Sequence, residues 1–173
     1  MRKGIIVLLA TVLGCASMNV SYDFDRQADF TKYKTYQFTD ESLSLPVGDL
    51  NRIRIISAVE TELAAKGFTK SDQPDALVDV YITAKKELDA TATTTGTGPW
   101  RYGYGGGFST TQVTYNEYIV GTLLISLIDY SVKQIVWQGT GTKTLDESAS
   151  PEKRESNINY AVQQIFSNYP PKK

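Results

Sequence analysis

The chain has 173 residues, 41% of them apolar and 21% charged, with 18 Lys plus Arg against 19 Asp plus Glu. That composition is ordinary for a folded globular protein, and the near-zero balance gives no basic face for nucleic acid. Histidine is absent and cysteine occurs once, which excludes Ser-His-Asp and Cys-His nucleophile systems, the usual zinc, copper and haem ligand sets, and any intramolecular disulfide.

In chain order, the first element is an export signal. Arg2 and Lys3 precede an apolar run from Ile5 to Leu13, far short of the roughly 20 residues that span a bilayer but suited to the core of a secretory signal. The ending Val12-Leu13-Gly14-Cys15 resembles the bacterial lipobox. That resemblance implies cleavage after Gly14, thioether lipidation of Cys15 and acylation of the new amine. Residues 1–14 are then a signal peptide, 15–19 the lipidated cysteine and a short tether, and 20–173 a single domain. One acyl chain binds a membrane only marginally, whereas two or more anchor it. By resemblance to Gram-negative sorting, Ala16 in place of Asp directs the anchor to the outer membrane, facing the periplasm. Four residues reach about 15 Å, so the domain is expected close against the bilayer.

Val20 to Phe24 reads as a first strand, Asp25 to Tyr33 as a turn and Lys34 to Phe38 as a second strand. After a loop containing Pro46, a helix is predicted over Leu50 to Lys66, with Asp49 as N-cap and Gly67 as its stop. Ile53, Ile56, Val59 and Leu63 form its expected core stripe. Ala76 to Lys85 alternates as a strand with one buried and one partly open face. The most apolar segment, Val113 to Ile128, is expected as a central strand, joined by a turn at Asp129 to Lys133 to its partner Gln134 to Thr144. Gly139 and Gly141 there predict a bulge or close packing. The last helix starts at Ser150 as N-cap with Pro151 in the first turn and carries Ile158, Val162, Ile165, Phe166 and Tyr169. The expected fold is α+β: a mixed or mainly antiparallel sheet of about five strands, order β-β-α-β-β-β-α, with two helices on one face.

Residues 87–111 break this pattern as a Gly/Thr/Tyr-rich loop. Long loops are usually functional or disordered. One reading is a mobile flap presenting Trp100, Arg101, Tyr102 and Tyr104 to a glycan, peptide or lipid headgroup by stacking and cation–π contact. The other is a low-complexity hairpin linker, which the composition favours. Gly103 to Gly107 lacks the frame of a dinucleotide fingerprint, and Gly139 to Thr144 reads as strand and not phosphate loop. Asp23, Asp25 and Asp29 lack the spacing of a calcium loop and are expected in local turn hydrogen bonds. Asp40-Glu41 and Asp146-Glu147 are read as exposed loop carboxylates.

Tyr22-Asp23-Phe24-Asp25 through Asp29-Phe30 to Lys34-Thr35-Tyr36, then Asp75 to Val80, Gly121-Thr122-Leu123 to Asp129, Val136 to Thr140, and Asn157 to Ala161 through Tyr169-Pro170-Pro171 occur in one order across the mature chain. Together they resemble the bacterial lipoprotein family catalogued as domain of unknown function 4136. The resemblance implies a lipid-anchored α+β domain and carries no catalytic residues. The resulting expectation is an envelope lipoprotein without enzymatic activity, metal or cofactor. It would act as a binding or assembly module whose partners are the membrane, through the anchor, and an envelope protein or glycan. The alternatives are a carboxylate-dependent glycan hydrolase, which needs two carboxylates converging in a cleft, and a small-ligand carrier with a cavity between sheet and helices.

Overall fold

A computed structural model describes residues 18–96 and 109–172. Six strands form one mixed sheet in the order β1-β6-β5-β4-β2-β3. The strands are β1 (Asn19–Phe24), β2 (Thr35–Phe38), β3 (Thr69–Lys70), β4 (Ala76–Gly96), β5 (Ser109–Asp129) and β6 (Ile135–Leu145). The helices are the short α1 (Asp40–Leu43), then α2 (Asp49–Ala65) and α3 (Pro151–Phe166), with a 3-10 turn at Phe30–Lys32. The α+β class is as expected. The sheet has one strand more than expected, because the two-residue β3 adds to its edge.

The antiparallel half, β1-β6-β5-β4, comes from hairpins and a returning first strand. The pairings β4–β2 and β2–β3 are parallel, which requires a crossover, and α2 supplies it. The apolar segment around Leu123, Ile125 and Leu127 does lie at the sheet centre, on β5.

Both long helices cover the face that carries Val78, Val80, Ile125, Leu127 and Trp137. Val59, Leu63, Val162, Ile165 and Phe166 meet it and are buried. Trp137 stacks on Phe166 with ring centroids 5.6 Å apart and meets Tyr169 edge to face at 5.4 Å. Helix α3 approaches closely because β6 has no side chain at two positions. A Cβ on Gly139 would fall 2.5 Å from Ile165 Cγ2, and one on Gly141 would overlap Met18. Close packing, not a bulge, therefore accounts for these glycines, since β6 runs in unbroken register past both.

Ser150 caps α3 by accepting from Lys153 N, with Pro151 in the first turn, as the sequence indicates. In α2 two expectations are corrected. Gly48 is the N-cap and Asp49 the first helical residue. The buried stripe is Ile55, Ala58, Val59 and Leu63, while Ile53 is 61% exposed. Val59 and Leu63 are in the expected stripe, and the small Ala58 joins them where α2 packs against α3. Gly67 ends the helix at φ +86°, a left-handed conformation suited to glycine.

Residues 87–111, expected as a loop, are corrected in part. Residues 87–96 lie in β4 and 109–111 in β5, in continuous antiparallel register from Ala76↔Asp129 to Gly96↔Ser109. Alternating Thr with Ala, Val and Tyr supports extended pairing, which their low hydrophobicity conceals. Asp40 and Glu41, read as loop residues, begin α1, where Thr39 accepts from Ser42 N as N-cap.

Candidate functional site

Three features are chemically conspicuous. The first is Asp129, a carboxylate only 3% exposed at the end of β5. One oxygen accepts from Lys32 Nζ at 2.6 Å and from the Tyr33 hydroxyl at 2.9 Å. The other accepts from Ser131 N at 2.8 Å, Ser131 Oγ at 2.6 Å and Val132 N at 3.2 Å. The bond from Lys32 leads, followed by those from Ser131, and together they hold the carboxyl well below the usual carboxylate range. Beside it Asp75 accepts from Lys34 N, Thr35 N and Thr35 Oγ1, which likewise lower its pKa. The two carboxylates border an open depression of about 200 Å³. Their bonding ties the β5–β6 turn to the segment before β2. An ionised, fully bonded carboxylate of this kind has neither the raised pKa of a general acid nor a free face for a substrate.

The second feature is a buried hydroxyl at the sheet's broken edge. Strand β2 leaves β4 after Val78, exposing the next backbone groups. There α1 brings in Ser42, fully buried, whose Oγ accepts from Val80 N at 2.7 Å and lies 3.3 Å from Val78 O. Thr39 Oγ1 donates to Asp79 Oδ1 at 2.7 Å. Ser42 thus stands in for the missing neighbour strand over one residue pair.

The third feature is a two-stranded arm. Pairing of β5 with β6 ends at Ile119↔Leu145, and pairing of β4 with β2 ends at Val78. Beyond Lys86 and Ile119 only β4 and β5 continue, for ten residues each, or about 33 Å. No third strand or helix covers them among the described residues, and Leu88 and Tyr115 are 66% and 67% exposed. Sequence reasoning places residues 113–118 in a strand but misses 87–96 and 109–111, which are rich in alanine and threonine and read as loop.

The other residues singled out from the sequence divide in two groups. Asp23, Asp25 and Asp29 accept from Phe24 N, Gln27 N and Thr31 N, the local turn bonds expected of them. Among the described residues no cluster of three or more Cys, Asp or Glu is arranged to hold a metal ion. The signal peptide, Gly14 and Cys15, and the contact candidates Trp100, Arg101, Tyr102 and Tyr104, lie outside the described residues. Among those described, no helix is long and apolar enough to cross a membrane.

The family described as "Domain of unknown function (DUF4136)" matches residues 20–171. The chain belongs to this family. Among solved structures it is similar to a PDZ domain protein from Parabacteroides distasonis ATCC 8503, at 19% identity and a TM-score of 0.56. That match covers 90% of this chain and 37% of the other, so this chain spans little more than a third of that protein. It is also similar to the PelC dodecamer from Paraburkholderia phytofirmans, at 16% identity and a TM-score of 0.50, over 87% of this chain and 96% of that one. These likenesses concern the fold. Among curated proteins nothing matches.

Proposed function

We propose that the chain is a lipid-anchored envelope protein, held at the outer membrane through Cys15 and facing the periplasm, that serves as a non-catalytic binding or assembly module. Two features support the reading, a lipobox-like N-terminus and an uncovered two-stranded arm. Asn19, directly after the tether, pairs with Thr142, which pairs with Thr122, which pairs with Thr83. The chain therefore enters the sheet at the end from which the arm projects. The arm thus projects from the end of the sheet at which the first strand begins, and it offers a partner an uncovered surface. The shifted carboxylates support a non-catalytic role, since Asp75, Asp129, Asp146 and Glu152 are all lowered, whereas a general acid needs a raised pKa. A carrier is disfavoured because Trp137, Phe166, Ile165 and Leu63 pack the space between sheet and helices.

Labelling cells with radioactive palmitate tests the anchor: incorporation is expected in the wild type and not in Cys15→Ala. A wild type that takes up no label refutes the lipoprotein reading. Crosslinking in intact cells tests the module, with a reproducible envelope partner expected. A second reading, self-assembly into an oligomer, draws on the fold shared with the PelC dodecamer. Mass photometry of the detergent-solubilised protein checks it, and a strict monomer rejects it.

A further inference from the structure

Helix α2 is apolar on two sides. Its inner stripe, Ile55, Ala58, Val59 and Leu63, is buried in the core. On the outside Leu50 and Ile53, one turn apart, are 67% and 61% exposed. Ile53 and Ile56 also line an open groove of about 320 Å³ beside α1, whose Leu43 forms the facing wall and is itself 52% exposed. An apolar patch of this kind, rimmed by charge, marks an interaction surface. Ser57 follows Ile53 by four residues on the same exposed line, and its small side chain lets a second helix approach to about 8–10 Å.

The order of charges on the rim decides what the patch meets. Arg52 and Glu60 both line the groove, eight residues or about 12 Å apart along the helix. Ile56 lies midway, four residues from each. Turning α2 end for end about Ile56 therefore exchanges the cation and the anion. An antiparallel second copy of the helix sets Glu60 against Arg52 at one end and Arg52 against Glu60 at the other. The patch is thus complementary to itself, as a twofold contact requires. Within one chain Arg52 bonds Asp49 at 2.8 Å and Glu60 bonds Lys70, but both pairs reach solvent. Exposed pairs contribute little and exchange partners readily. Asp40 and Glu41 on α1 and Asp49 on α2 are exposed as well, so the two helices offer no excess of positive charge to an anionic lipid surface.

We infer that the outer face of α2, with Leu43 of α1, is the contact between two copies of this chain, the two α2 helices lying antiparallel about Ile56. The inference deepens the self-assembly reading and rests on it. Ile53 and Ile56 of each copy fill the apolar middle of the other's groove, and the charged ends fix direction and register. A twofold contact closes at two copies. Because α2 covers one face of the sheet, the opposite face stays free for another partner.

The test is sedimentation equilibrium of the full chain in a density-matched detergent across the micromolar range. A reversible dimer is expected for the wild type. Arg52→Glu and Glu60→Arg each set like charges together and should weaken it about tenfold. The doubly exchanged protein restores opposite charges at both ends and should recover most of that loss. Ile53→Asn should also weaken the dimer about tenfold, with the thermal midpoint unchanged, because Ile53 lies outside the core. Circular dichroism shows that each variant is folded. A double exchange that dissociates further than either single change overturns the antiparallel pairing. An oligomer indifferent to all four variants overturns the inference and leaves the self-assembly reading standing. A strict monomer at every concentration overturns both.

Discussion

Replacing Asp129 by alanine is expected to remove about 3 kcal/mol of stability. The carboxylate accepts five hydrogen bonds at a site 3% exposed. Alanine leaves the Tyr33 hydroxyl, on a residue 2% exposed, without this acceptor. An orphaned buried polar group costs about 1–3 kcal/mol. The lost bonds to Ser131 and Val132, which shape the turn into β6, add about 1 kcal/mol. The ion pair with Lys32 adds little, because that side chain is half exposed and solvent screens it. With a urea m-value of roughly 2 kcal/mol/M, the midpoint should fall by roughly 1.5 M. Asp129→Asn keeps an acceptor for the turn and should lose about half as much. The pH dependence carries a definite sign. The folded-state pKa lies below the unfolded value, so the contribution is present above about pH 4 and is lost as pH falls further. Wild type should weaken on acidification below that point more steeply than Asp129→Asn. Urea melts of the three proteins at neutral pH and near pH 3 are the assay. A loss below 1 kcal/mol for Asp129→Ala, or parallel acid profiles, would refute the assignment of Asp129 as the clamp of this turn.

Three further outcomes are expected. Gly139→Ala places a methyl 2.5 Å from Ile165 Cγ2 and 2.6 Å from Trp137; overpacking of this kind should cost about 1–3 kcal/mol by denaturant melt, and a neutral result would mean that α3 shifts freely. Ser42→Ala deprives Val80 N of its partner and should cost about 1–3 kcal/mol, with faster amide exchange at Val80 as the local signature. Burial raises the hydroxyl of Tyr36 to about 12 and that of Tyr169 further. Both stay neutral while unfolded tyrosines ionise, so stability should decline as pH rises above about 10, and ultraviolet titration should show these two ionising only with unfolding.

The sequence was most legible where one signal dominated. Val113 to Ile128 is apolar enough to announce a central strand, and Ser150-Pro151 and Gly67 bound their helices as capping chemistry requires. Helix α2 was legible as a helix but not in its facing. Ile53 and Ile56 compete with Ile55 and Ala58 to complete the stripe of Val59 and Leu63, and packing against α3 selects the second pair. Strand β3 is two residues long and carries no period at all. Much of the arm was hidden for a different reason, since a run of alanine and threonine is geometrically a strand and compositionally a linker. Lys32, Tyr33 and Asp129 could not be joined from sequence, because 96 and 97 positions separate the bonded partners. Ser42 offered no signal beyond its hydroxyl.

The pairing of β1 with β6 also orders events in time. Asn19 meets Thr142, 123 positions later in the chain, so the first strand has no partner until nearly the whole domain has been made. Pairings of such separation are slow to form. During that interval Asn19–Phe24 is an unpaired strand. The sheet is therefore closed last at the strand that was made first, and β1 waits as an open edge until β6 is in place.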